Sequence, residues 1–183
     1  MQQPELTIED IICIERARRF AIERHAGQVR KYTGEPYWTH PQAVVAIVSK
    51  VSRSPQLLSA SWLHDVEEDC AVQPEELTAL FGAEVSRLVT EVTDVSRPED
   101  GPRAVRKALD RAHMARGSVE AKTLKLADVI DNVRTIVQHD RRFARKYLPE
   151  KRLLLDEALR EGNAELWAEA DRLVQDGLRL LEI

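Results

Sequence analysis

The chain is 183 residues long, enough for one domain that buries a substantial core. Its 43% hydrophobic and 32% charged residues, with few aromatics, seven glycines and eight prolines, argue against disorder and membrane spanning and fit a soluble helical protein. A formal charge of −4 gives no overall attraction to nucleic acid, although basic residues gathered locally would still admit a small anionic ligand.

The N-terminus, MQQPELTIEDIICIERARR, starts acidic and lacks an apolar run with a small-residue cleavage site, so it does not read as a secretory leader, and the expected location is the cytoplasm. Thr7 followed by Asp10 suits a capping box, and Ile8, Ile11, Ile12, Phe20 and Ala21 carry a helical period ending near His25. The next stretch, AGQVRKYTGEPYWTHP, reads as a loop. Pro41 is expected as the first residue of a second helix bearing Val44, Val45, Ile47 and Val48, which sets His40 at its start. A third helix is expected from about Pro55 to Asp69, then shorter ones from Pro74 to Phe81 and from Ala83 to about Val95, with Gly82 between them.

DVSRPEDGP has neither apolar period nor apolar surface and reads as a loop. RAVRKALDRAHMAR forms a basic helical piece, closed by Gly117, with Ser118 capping the next helix. From Glu120 to about His139, Leu126, Ile130, Val133 and Val137 recur at helical spacing and predict one buried stripe. Two more amphipathic helices, from about Phe143 to Leu159 and from Ala164 to Leu181, lie on either side of Gly162. No segment alternates convincingly as a strand and no repeat is found, so the expected class is all-α, in a single domain over residues 1–183. Cys13 and Cys70 show no CxxC spacing, and no disulfide is expected.

Chemistry concentrates in SASWLHDVEEDCAV. Between Ser54 and Ser86 there is no lysine or arginine, yet the interval holds Asp65, Glu67, Glu68, Asp69, Glu75, Glu76 and Glu84. On a continuous helix His64 and Glu68 are four apart, as are Asp65 and Asp69, so the four share one arc, which Leu57 and Ser61 extend onto a packed face. Carboxylates buried without counter-charge protonate or take up a cation. An imidazole beside an aspartate offers mixed nitrogen and oxygen ligation suited to manganese, iron or zinc rather than calcium. The plainer alternative is a solvated acidic helix end. His40 is a further candidate ligand, although a histidine before proline is more often a cap or a packed ring. Asp128, in LKLADVIDNVRT, sits in an apolar helix and shares an arc with Asn132 and Thr135, which makes that arc either a solvent face or a functional one.

In this order, HAGQVRKYTGEPYWTHP, SWLHDVEEDC, FGAEVSRLVTEVTD and LKLADVIDNVRT resemble the HD-type hydrolase domain of RelA/SpoT homologues, in particular the free-standing small alarmone hydrolases, over roughly Phe20 to Thr135. The resemblance implies an HD-domain helical bundle of about eight to ten helices with a metal site between helices. It implies manganese (Mn2+) held by His40, His64, Asp65 and Asp128, with Glu68 and Asp69 as the acidic pair that orients or deprotonates the attacking water. Arg30 and Lys31 would line the nucleotide site, and Asn132, Arg134 and Thr135 would face the nucleotide. The implied reaction removes the 3′-pyrophosphate of (p)ppGpp or (p)ppApp, leaving GDP or GTP, or ADP or ATP. The substrate's other phosphate chain would have the basic residues of RAVRKALDRAHMAR or RRFARK as candidate partners.

The sequence departs from the family pattern at Val129 and Ile130, where a basic and apolar pair is usual, at Asp131, where His or Tyr is more common, and at Cys70, which replaces a threonine. These positions bear on base recognition more than on metal binding. Two other readings stand beside this one: an HD phosphohydrolase acting on another nucleotide, such as a nucleoside monophosphate or NADPH, and a catalytically silent nucleotide-binding regulator. Neither nucleic acid nor a membrane is an expected partner, and homo-oligomerisation is left open. P-loop, GxSxG and zinc-ribbon motifs are missing from the sequence.

Overall fold

The computed structural model describes residues 5–182, which contain ten α-helices and one short 3-10 turn. The helices are α1 (Ile8–Arg24), α2 (Thr39–Val48), α3 (Pro55–Leu63), α4 (Val66–Cys70), α5 (Pro74–Phe81), α6 (Ala83–Val92), α7 (Arg103–Ala115), α8 (Val119–His139), α9 (Arg141–Glu157) and α10 (Ala164–Leu180), with the turn at Pro98–Asp100. Among the described residues the only β pairing is an isolated antiparallel bridge between Val29 and Pro36. The all-α expectation is met.

The chain falls into two compact units, the first reaching Thr93 and the second starting at Asp94. In the first, α3 lies against α1, α2 and α6, and α5 packs on α6. α3 is central because it is apolar all round rather than on one face: Leu57, Leu58, Ala60, Trp62 and Leu63 are all buried, with Val44 and Val48 of α2 and Ala17 and Ala21 of α1. In the second unit α8, α9 and α10 pack on one another, and α7 packs on α9. Leu124, Leu126, Ile130, Val133, Leu148, Leu155, Leu166 and Val174 are buried there.

Side-chain caps start the helices where the sequence marks them. Thr7 Oγ1 accepts from Asp10 N at 3.2 Å while Asp10 Oδ2 accepts from Thr7 N at 2.9 Å, closing the capping box of α1. Ser54, Ser118, Asp140 and Asn163 cap α3, α8, α9 and α10 through their side-chain oxygens. Pro41 is not the first residue of α2 but its third, behind Thr39 and His40. A first-turn amide has no intrahelical acceptor, so the ring is tolerated there and His40 is brought onto the helix itself.

Two expected helix ends move. The predicted helix from Pro55 to Asp69 is two helices, because α3 stops at Leu63 and α4 begins at Val66. His64 Nδ1 donates to Ser61 O at 2.9 Å and so competes for the carbonyl that a continuing helix would use, while Asp65 adopts φ −102°, ψ −2°. Helix α6 stops at Val92 rather than near Val95. The amides of Val95 and Ser96 are taken instead by Asp110 Oδ1, at 3.2 and 2.9 Å.

Candidate metal centre

His64 caps the end of α3 and is 3% exposed. A carbonyl oxygen only accepts, so the contact to Ser61 O puts a proton on Nδ1 and leaves Nε2 of the neutral ring as a bare lone pair. That lone pair faces Asp65 Oδ2 at 3.1 Å and His40 Nε2 at 3.3 Å, and His40 Nε2 lies 3.5 Å from the same carboxylate oxygen. An acceptor nitrogen this close to a carboxylate oxygen is unfavourable unless a proton or a metal cation lies between them. Donors sharing one ion at about 2.1 Å stand roughly 3.0–3.4 Å apart in octahedral or tetrahedral arrangements; the edges of 3.1 and 3.3 Å fall in that range and the 3.5 Å edge lies just beyond it. The three residues therefore fit a divalent metal. They converge because α2 and α3 are packed together and His40 is buried at 2% exposure.

Tyr37 stands over this triangle. Its hydroxyl donates to Asp65 Oδ2 at 2.8 Å and also interacts with the Asp69 carboxyl. Burial, reinforced by the charges of Asp65 and Asp69, holds the phenol far above its ordinary range, so it remains a donor. Its ring lies tilted against His25, centroids 4.7 Å apart, and edge-on to His40 at 5.9 Å. His25 is 1% exposed, with Nδ1 2.8 Å from Gln28 Oε1 and 3.4 Å from Cys70 Sγ.

The acidic interval is neutralised piecemeal. Arg24 of α1 pairs with Glu76, Arg87 with Glu84, and Thr90 Oγ1 donates to Glu67 Oε1 at 2.9 Å. Glu68 and Asp69 are exposed rather than buried, so at these two positions the acidic stretch is a solvated helix end. Asp69 is still pushed above the usual carboxylate range, by partial desolvation of its carboxyl and then by the Asp65 charge. The chain breaks between α3 and α4, so the four side chains do not lie on one continuous helix, although Asp65 and Asp69 keep their one-turn spacing. Asp65 N-caps α4, and the amide of Asp69 donates to Asp65 O at 2.8 Å.

Arg30 and Lys31 sit on the hairpin-like loop between α1 and α2. Arg30 N donates to Glu35 O at 2.8 Å and Gly34, at φ +72°, turns the chain back. Arg30 is half-buried, whereas Lys31 is exposed with its ammonium 5.0 Å from the Tyr32 ring centroid. In the second unit Asp128 is buried within α8 at 7% exposure, so its arc is not a plain solvent face. Asn132 Nδ2 donates to Asp128 Oδ1, and Lys125 Nζ lies 3.0 Å from Asp128 Oδ2. Arg134 is exposed and paired with Glu169 of α10, and Thr135 Oγ1 donates to Asp131 O at 3.2 Å.

The profile of the HD domain family matches residues 17–150. The chain belongs to the HD domain family. It is 36% identical over 143 residues to a probable guanosine-3′,5′-bis(diphosphate) 3′-pyrophosphohydrolase of Synechocystis, covering 74% of this chain and 18% of that protein. It is 37% identical over 130 residues to the guanosine-3′,5′-bis(diphosphate) 3′-pyrophosphohydrolase MESH1 of Xenopus tropicalis, covering 69% of this chain and 71% of the relative. The chain spans less than a fifth of the length of several longer relatives, among them GTP pyrophosphokinases of Streptomyces coelicolor and Streptomyces antibioticus. A solved structure described as a metazoan ortholog of SpoT that hydrolyses ppGpp superimposes with a TM-score of 0.78 at 30% identity, covering 94% of this chain and 97% of the other.

Within this HD domain the sequence reading found the metal-competent triangle and missed its neighbours, Tyr37 and His25. The signal for Tyr37 was present: it precedes His40 by three residues, one turn, and His40 N donates to Tyr37 O at 2.9 Å. Nothing local distinguishes His25 from an ordinary helix C-cap.

Proposed function

We propose that the chain is a manganese-dependent hydrolase that removes the 3′-pyrophosphate of an alarmone nucleotide, (p)ppGpp or (p)ppApp, as one catalytic HD domain working in the cytoplasm. The observation that carries this reading is the donor triangle of His40, His64 and Asp65, with edges of 3.1–3.5 Å, in a chain whose relatives are named 3′-pyrophosphohydrolases. His40, His64 and Asp65 would hold the ion, and the motif resemblance adds Asp128 as fourth ligand. When bound, a divalent ion supplies a Lewis acid for the phosphoryl oxygens and lowers the pKa of water.

The chain's own groups do the rest. Asp69, with its raised proton affinity, and Glu68 lie on the exposed part of α4, where they can orient water and receive its proton. The water oxygen bonds to the phosphorus attached to the ribose 3′ oxygen, that P–O bond breaks, and the 3′ oxygen takes up a proton as pyrophosphate leaves. Arg30 and Lys31 supply cations for phosphate or for stacking on a purine, and Asn132, Arg134 and Thr135 supply the nucleotide-facing helix. Among the described residues no helix is long and apolar enough to cross a membrane, in keeping with a water-borne substrate.

The test is incubation of manganese-loaded protein with ppGpp, pppGpp, ppApp and pppApp, followed by ion-exchange separation. Nucleoside di- or triphosphate together with pyrophosphate is expected. Orthophosphate as the product, or equal turnover of nucleotides lacking a 3′-phosphate, would overturn the reading.

A further inference from the structure

The Asp65 carboxylate has one oxygen, Oδ2, that both imidazoles approach, and a side chain this short can turn that oxygen away by rotation about its own bonds. A hydrogen bond from outside the triangle, the 2.8 Å contact from Tyr37, opposes that rotation. We propose that Tyr37 is a positioning residue of the metal centre, whose hydroxyl holds the Asp65 carboxylate in its metal-binding orientation and ties it to Asp69.

Three observations support this. The phenol ring is fixed by His25 and His40, at centroid distances of 4.7 and 5.9 Å, so its hydroxyl has a set direction. The His25 ring is buried and anchored by Gln28, whose amide nitrogen donates to Asp69 O at 3.3 Å; the support under Tyr37 therefore leads back to the acidic helix. The backbone around Tyr37 is closed on both sides, Tyr37 N donating to Gln28 O at 3.0 Å and His40 N to Tyr37 O at 2.9 Å. A single O–H between two carboxylates also offsets the repulsion between Asp65 and Asp69. Outer partners of this kind orient metal ligands, and their loss lowers metal affinity more than stability.

The inference rests on the metal-dependent reading above, and its test separates the two. Tyr37→Phe keeps the ring and both imidazole contacts and removes only the hydroxyl. Manganese affinity of metal-stripped protein is measured by calorimetry, beside the melting temperature of the metal-free form and kcat and KM for ppGpp at saturating manganese. The expected result is manganese binding weakened by about 10- to 100-fold, as for other outer partners of metal ligands. A lower kcat, a KM close to wild type and an unchanged melting temperature should accompany it. Wild-type affinity and wild-type kcat in the variant would overturn the proposal. So would a collapse of the metal-free melting temperature, because the hydroxyl would then be holding the fold rather than the site. If the wild-type protein binds manganese but leaves ppGpp intact, the proposed function fails while the affinity comparison still decides the role of Tyr37.

Discussion

A carboxylate that holds a metal and one that handles protons need different surroundings, and the proposed reading gives these tasks to Asp65 and Glu68, three residues apart. Asp65 is half-buried among two imidazoles and a phenol, whereas Glu68 lies exposed in the middle of the five-residue α4. Glu68→Gln keeps the size of the side chain and removes only its charge, outside the donor triangle of His40, His64 and Asp65. It should keep manganese, as read by elemental analysis, while turnover of ppGpp falls by about 100- to 10,000-fold, the usual contribution of a general acid or base. Asp128→Ala should behave in the opposite way, losing manganese first. It also removes an acceptor that Lys125 and Asn132 share, so its metal-free melting temperature should fall too. A Glu68 variant without metal, or an Asp128 variant fully loaded, would exchange the two assignments.

At the scale of elements, the helix periods, the caps at Thr7 and Ser118, and the stops at Gly82 and Gly117 were legible because each is a local rule of chain geometry. The break between α3 and α4 was not. SWLHDVEEDC has good helical character throughout, and what ends α3 is a side-chain bond from His64 to Ser61 O that follows from the three-dimensional setting of the ring. The early end of α6 has the same kind of cause, since the amides of Val95 and Ser96 find their acceptor in Asp110, fourteen and more residues away. Gly162 was legible as a separator, but not as a contact. A Cβ there would stand 2.7 Å from Leu126 Cδ1, 3.1 Å from Lys122 C and 3.2 Å from Thr123 N, and backbone atoms cannot step aside as a side-chain tip can. The turn is further tied to α8 by the Lys122–Glu161 ion pair and by Asn163 N donating to Thr123 Oγ1 at 3.0 Å. Gly162→Ala should accordingly destabilise the protein by about 1–3 kcal/mol, as overpacking does, seen as a lower urea midpoint with an unchanged slope. A variant as stable as wild type would mean that the turn lifts from α8 at no cost.

For the whole molecule, composition predicts a modest net charge but not which charges are taken out of water, and that distinction sets the response of stability to pH. Lys151 shows it best. It lies on α9, half-buried, with its ammonium 4.8 Å from the Tyr147 ring centroid. Its neighbours Arg103, Lys107 and Lys125 pair with Glu150, with Asp94 and Asp110, and with Asp128 respectively. Burial first, and then the charge of Lys125, lower its pKa from 10.5 to about 8, against the opposing pull of Asp128 and Asp94; Lys107 adds to the lowering. Between these two values the unfolded chain carries a proton on Lys151 that the folded chain has released. Stability rises with pH wherever the unfolded state binds more protons. The burden of the buried ammonium is thus fully present below about pH 8 and is relieved as the pH climbs toward 10.5. Lys151→Met keeps an unbranched chain of similar length against Tyr147 and removes the charge. In chelator, urea unfolding should find this variant more stable than wild type at pH 7, with the gap closing steadily between pH 8 and 10. Taking the difference between the two proteins cancels the titration of every other group to the extent that those groups do not sense Lys151. A gap that widened with pH, or a wild type more stable at pH 7, would mean that the ammonium is held by an attractive interaction in the fold and that its pKa is raised rather than lowered.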